Sequence, residues 1–216
     1  MSDVRPAESD VVDLSSNTPA LTPARSPRSR GGNAMGRSRA AALEGARRVF
    51  AENGIRKASM GDVAVRGGLA KATLYNHFRT KDGLIAGLVA DDVTELTSDC
   101  CDLARDDLAT ALTRAADAVS QHPVLVGLRK VEPTALLAAA SPGEGTTWTT
   151  IRAQVALVLD AADVSSSDDC VDLVCRWLAS HATSPGTSTA RAAQARVMAA
   201  GLPLAIRTTS FATPVS

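Results

Sequence analysis

Aromatic side chains are nearly absent from this sequence: three Phe, two Trp and one Tyr make up 3% of 216 residues. A core built with so few must rest on Ala, Leu and Val. That suits helices packed on helices and disfavours a β-sandwich, whose strands lean on β-branched and aromatic residues. Cysteine is scarce as well. Cys100 and Cys101 are neighbours and form no routine structural bridge, while Cys170 and Cys175 fall on different faces of a helix. Neither pair has the spacing of a zinc site. No apolar run approaches the roughly 18 residues of a membrane helix, and the N-terminus lacks the apolar stretch of a signal peptide. The expectation is a cytoplasmic chain with no metal, no cofactor and no membrane partner.

The parts of an enzyme are missing too. The three histidines are scattered, Gly143-Glu144-Gly145 lacks the Lys-Ser/Thr of a phosphate loop, and no serine stands in a nucleophile-elbow pattern. Acids such as Asp91-Asp92 and Asp168-Asp169 read as solvated helix ends. No catalytic residue is assigned, and catalysis is not expected.

Net charge is zero, with 23 basic and 23 acidic residues, but the charges are segregated. Residues 37–87 hold ten basic and four acidic side chains, whereas residues 88–216 hold nine basic and fifteen acidic. A basic segment ahead of an acidic one points to an anionic partner for the first part, with nucleic acid foremost.

Three regions follow from the pattern. Residues 1–34, with Pro6, Pro19, Pro23 and Pro27 and no apolar period, read as a disordered tail. Its arginines continue through Arg37 and Arg39 without an acid from Arg25 onward. This is either a solvated tail or a basic arm lying along DNA; Met35 as a start codon is a third reading, in which the tail has no function. Residues 35–87 carry short helices. Leu43, Ala46 and Phe50 share one face, Asn53-Gly54 ends that helix, Ser59 opens a second, and Gly67-Gly68 closes it. A third segment runs from about Ala70 to Phe78, and Thr80 caps a fourth. Residues 88–216 read as helical throughout, broken at His122-Pro123, Glu132-Pro133, Ser141-Pro142-Gly143, Ser165–Ser167, Ser184-Pro185-Gly186 and Leu202-Pro203. Two stripes stand out there. One joins Val171, Val174, Leu178 and Ala182; the other joins Ala190, Ala193, Val197, Ala200 and Leu204 at the spacing of an interhelical seam.

Residues 59–78, two short helices around a glycine turn, form a helix-turn-helix whose second helix suits the major groove. Lys71, Ala72, Thr73, Asn76 and His77 would face outward, with Leu69, Leu74 and Phe78 inward. Asn reads adenine edges, Thr a hydroxyl-reachable edge or a thymine methyl, and Lys guanine or phosphate. Ser59 and Thr80 open helices whose first amides suit phosphate.

The runs Ser59-Met60-Gly61-Asp62-Val63-Ala64, Gly68-Leu69-Ala70-Lys71-Ala72-Thr73-Leu74-Tyr75-Asn76-His77-Phe78 and Lys81-Asp82-Gly83-Leu84 resemble the DNA-binding domain of the TetR family of bacterial transcriptional regulators. The resemblance covers about residues 37–88. It implies an all-α homodimer on a palindromic double-stranded operator: a three-helix head, a connecting helix, and a C-terminal effector-binding and dimerisation domain. It also implies that Tyr75 contacts phosphate and Lys81 the DNA backbone, with Ser59 at the backbone, Lys71, Ala72, Thr73 and Asn76 at bases or phosphates, and His77 structural or on the phosphate side. Arg37 and Arg39 complete the expected DNA-binding set. Two positions depart from the pattern. Ala70 replaces the small hydroxyl that usually caps the recognition helix, and Gly61 sits inside the second helix.

The expected dimer interface is Val171, Val174, Leu178, His181, Ala190, Ala193 and Val197. Trp148, Arg152 and Trp177 are candidates for a ligand pocket, the tryptophans equally for core or interface. The functional expectation is a repressor whose operator affinity falls when a small-molecule effector binds. The alternative is a constitutive, activating or cysteine-redox-switched DNA-binding regulator without a ligand.

Overall fold

The structure is a computed structural model that describes residues 30–143 and 145–204, with side chains from Ala34 onward. Within these residues lie ten helices: α1 (Arg30–Asn53), α2 (Met60–Arg66), α3 (Lys71–His77), α4 (Lys81–Ala104), α5 (Leu108–Gln121), α6 (Pro123–Val131), α7 (Pro133–Ala140), α8 (Thr146–Ala161), α9 (Asp168–Thr183) and α10 (Ser188–Gly201). The one β feature among the described residues is an isolated bridge between Val164 and Leu204. No helix among them is long and apolar enough to cross a membrane.

The helix ends follow local chemistry. Ser59, Thr80, Asp107 and Thr187 each accept a hydrogen bond from a backbone amide two or three residues on, which satisfies amides that the helix itself leaves free. Pro123 and Pro133 occupy first turns, where a missing N–H costs nothing. The expected breaks all fall between these helices. Gly54 and Gly68 turn the chain with φ of +78° and +63°, a region closed to most side chains. The expected tail lies outside the described residues up to residue 29, and α1 begins at Arg30 rather than near Gly36.

Two apolar cores hold the bundle. The first collects Leu43, Ala46, Phe50, Val63, Leu74 and Leu84 of the head. It continues into the body through Val124, Leu128, Leu136 and Ala182. The second lies wholly in the body, around Cys100, Leu112, Leu159, Val174 and Cys175. At 1.5 Å per residue, α4 is a rod of about 36 Å. It places Leu84 and Leu88 in the first core and Cys100 and Ala104 in the second. Helix α6 lies so close on α1 that a Cβ at Gly127 would collide with the backbone of Ala51.

Candidate nucleic-acid interface

Helix α2 starts with a complete capping box. The Asp62 amide donates to Ser59 Oγ at 3.1 Å, and the Ser59 amide donates to the Asp62 carboxylate at 3.0 Å. The Ser59 hydroxyl also donates to that carboxylate, and these hydrogen bonds hold the Asp62 pKa below its ordinary value. After the glycine turn, Leu74 and Phe78 anchor α3 in the head core. Of the expected outward set, Lys71, Ala72 and Asn76 are exposed, Thr73 and His77 are partly covered, and Tyr75 is exposed beside them.

Two departures acquire physical content. Ala70 has the extended backbone of a cap, φ −64° and ψ 142°, but offers no side-chain acceptor. At Gly61 an added Cβ would stand 3.3 Å from Lys71 Cε, a contact the exposed lysine relieves by a small shift, so packing does not demand the glycine.

Two expected contacts, Lys81 and Arg39, read differently. The Lys81 ammonium points inward, donating to the carbonyls of Ile55 at 2.8 Å, Ala58 at 3.2 Å and Arg56 at 3.4 Å. It holds the α1–α2 loop because the start of α4 lies beneath that loop, so a contact with the DNA backbone would compete with three carbonyls. Arg39 pairs with Asp91 at 3.2 Å and lies 5.6 Å from the centroid of the Phe78 ring. Its guanidinium lies between α1, α4 and the end of α3, with 43% of the side chain still exposed. His77 Nε2 shares a hydrogen bond with Ser38 Oγ at 2.7 Å, a structural role that pins the end of α3 to α1. Arg37 is exposed.

Behind the head, Asp91 and Asp92 are not helix ends. They lie within α4 and bind Arg47 of α1, and Asp92 also meets His122 Nε2 at 3.0 Å. Burial works against the Asp92 carboxylate, but hydrogen bonds from His122 and Arg47 outweigh it and lower its pKa. The cluster therefore bolts α1 to α4 and to the α5–α6 joint.

In the body, Val171 and Val174 are 5% and 1% exposed and belong to the second core. His181 is 4% exposed, against the edge of Trp177 at a centroid distance of 4.9 Å. Its ring nitrogens have no hydrogen-bond partner among the described residues. Leu178 packs partly on the second core. Val171, Val174 and His181 are buried inside the protomer, which corrects their assignment to a dimer seam, while Leu178 stays partly exposed. Ala193 and Val197 of α10 are exposed and Ala190 is half-buried. Trp148 and Trp177 pack against the second core. Arg152 donates to the Gly143 carbonyl at 2.9 Å and pairs with Asp172 at 3.5 Å, while Trp177 Nε1 donates to Gln194. These bonds lead Arg152 and Trp177 to different neighbours. Burial pushes the Cys100 and Cys175 thiols up to about 11, which keeps them protonated and poorly nucleophilic.

Sequence reasoning missed Glu132 and Arg129. Glu132 at the α6–α7 joint accepts from the Ile55 and Arg56 amides. Arg129 donates to the carbonyls of Ser120 and Ala182, closing the ends of α5 and α9. A polar residue next to Pro133 was visible, but nothing local named its partner.

Residues 42–88 match the family model of bacterial regulatory proteins, tetR family. Solved structures share the fold over about three quarters of the chain. One is the TetR family repressor AlkX of a Dietzia species, implicated in biodegradation of n-alkanes: 16% identity over 75% of this chain and 93% of that one, TM-score 0.57. A putative TetR-family regulator from Mesorhizobium loti shares 16% identity over 79% and 98% of the two chains, TM-score 0.54. A TetR-family regulator from Pectobacterium atrosepticum shares 21% over 79% and 93%, TM-score 0.51. Comparison with curated proteins gives no match. The helix-turn-helix head on an all-helical body is that of a DNA-binding transcriptional regulator. Residues 42–88 thus carry the tetR-family sequence pattern, and the helical body behind them shares its fold with solved TetR-family regulators.

Proposed function

We propose that this protein is a cytoplasmic, dimeric, sequence-specific repressor whose operator affinity is lowered by a small-molecule effector. The observation that carries the reading is the outward face of α3. Lys71, Ala72, Tyr75 and Asn76 are exposed there, while Leu74 and Phe78 fix the helix from behind. Asn76 reads a base edge, Lys71 and Tyr75 hold phosphate or base, Thr73 supports them, and the capping box at Ser59 fixes the helix in front of α3. Arg37 adds charge at the rim.

The dimer forms through the outward face of the last two helices. Val197 and Leu204 are each 75% exposed, Leu173 of α9 is half-exposed, and the alanines between them permit close approach. Two heads then meet half-sites about one DNA turn, roughly 34–36 Å, or a multiple apart. Residues 88–216 form the effector-binding and dimerisation body. An effector that prefers another head spacing weakens DNA binding by its differential affinity for the two states and by no more. The few aromatics favour an aliphatic or small effector over one held between rings.

The test is a gel shift on DNA from the region upstream of the gene, across a salt series, with Tyr75→Phe and Asn76→Ala. Specific, salt-steep binding that both substitutions weaken supports the reading. Equal binding to any DNA, or none, refutes it.

A further inference from the structure

The α1–α2 loop, residues 54–58, is gripped from two sides. From the body comes Glu132, at the joint between α6 and α7. Its carboxylate accepts from the Ile55 amide at 3.1 Å and from the Arg56 amide at 3.0 and 3.2 Å. Two successive peptide N–H groups aimed at one carboxylate make a small anion nest. Gly54 shapes it: a Cβ there would stand 2.6 Å from the carboxyl carbon and Oε1 of Glu132. From the head comes Lys81, whose ammonium takes the carbonyls of Ile55, Arg56 and Ala58. The loop thus has its amides held by a body anion and its carbonyls by a head cation.

Where this loop leads gives it consequence. The next residue is Ser59, the cap of α2. On the other side, α6 packs mainly on α1 and also on α5 and α9, while α7 packs on α9 and α6, so Glu132 stands at the joint where the chain passes from the helix seated on the head to one seated on the body. The grip faces an open hollow lined by Glu52, Asn53, Arg56, Lys57, Val131 and Glu132 itself. Water reaches it, so it can break and re-form without disturbing either core.

We propose that Glu132 is a positioning residue for DNA binding: its carboxylate sets the α1–α2 loop, and through it the start of α2, according to the posture of the α6–α7 joint. The proposal rests on the reading of the head as the DNA-binding element. Glu132→Gln replaces one acceptor by a donor that opposes an amide, so the nest opens while side-chain volume is kept. The loop then has to be ordered when DNA binds.

The experiment uses the full chain and two readouts. Hydrogen exchange at the Ile55 and Arg56 amides is measured without DNA, and affinity is measured on DNA that the wild-type protein binds specifically. In Glu132→Gln both amides exchange faster, affinity falls about tenfold, and Tm falls by only about 2–5 °C, so the fold persists. Glu132→Asp, which keeps both acceptors, retains more affinity than the Gln variant. The double variant with Lys81→Ala loses less than the two single losses multiplied, because both act on one loop. Unchanged amide exchange overturns the contact. Faster exchange with affinity within about twofold of wild type overturns its link to DNA. A wild-type protein without specific DNA affinity overturns the head reading, and this proposal with it, which the DNA-free exchange data tell apart from a missing contact.

Discussion

Ala70→Ser should stabilise the protein and tighten DNA binding, because α3 is a seven-residue helix that starts with no side-chain cap. Helices this short are marginal by themselves, so the first turn matters disproportionately. The site is already built for a hydroxyl. Ala70 is exposed, and its backbone is in the extended conformation of a cap. Elsewhere in the chain the same geometry carries a bond: Thr80 Oγ1 accepts from the Gly83 amide at 3.0 Å, and Thr187 Oγ1 from the Ala190 amide at 3.1 Å. A serine at position 70 would accept from the Thr73 amide in the same way, contributing about 1 kcal/mol. For a chain of this size that raises Tm by about 2–4 °C. If the first turn of α3 is ordered only on DNA, affinity also rises, by up to about fivefold. Thermal melts and a gel shift check both, with Ala70→Gly as a control for backbone effects and Ser59→Ala as the mirror image that should lose about as much. A serine variant with unchanged Tm and unchanged affinity would refute the reasoning, since it would mean that the amides of α3 are already satisfied.

Gly127→Ala should cost about 1–3 kcal/mol, because the added methyl meets the Ala51 backbone and has to part α6 from α1; urea unfolding measures the loss. The Asp92 carboxyl titrates lower in the folded chain than in the unfolded one. Its contribution is therefore complete above the unfolded value near pH 4 and disappears as pH falls through the folded value; melts between pH 6 and 3 should show an acid limb that Asp92→Asn flattens. Cys100 and Cys175, with thiols pushed up to about 11, should resist a thiol reagent at pH 8 in the native protein and react once it is unfolded; rapid native labelling of either contradicts their burial. His181 is lowered by burial and by Arg191, so the folded state disfavours its charged form and stability falls as pH drops below about 6.5. His181→Leu should remove that slope and, by deleting two unpartnered buried nitrogens, leave the chain no less stable at pH 7.

Most of the secondary structure was legible because its signals are local. The stripe of Leu43, Ala46 and Phe50, the caps Ser59 and Thr80 and the breaks at Pro123 and Pro133 act within one helical turn, and each stands where expected. Most of the outward set on α3 was legible for the same reason. Charges were not. Asp91-Asp92 read as solvated, yet they bind Arg47 and His122 from other helices. Arg39 and Lys81 read as DNA contacts, yet their cations find a carboxylate, a ring and three carbonyls. The Val171–Val174 stripe was correctly apolar, but apolar spacing says that a face is covered and not by what.

The division of the chain shows the same limit. Composition placed a boundary at residue 87, where basic gives way to acidic, and the family match ends at residue 88. The first core crosses that boundary, drawing Val124, Leu128, Leu136 and Ala182 in beside α1. The sequence by itself determined the helices, most of their ends, the small-residue character of the cores and much of the outward face of α3, since these depend on backbone and side chains a few residues apart. Tertiary structure alone decided that Glu132 and Lys81 share one loop, that Arg39 pairs with Asp91 and that head and body share a core. Those pairings join residues dozens of positions apart, and packing of the helices is what brings the partners within bonding distance.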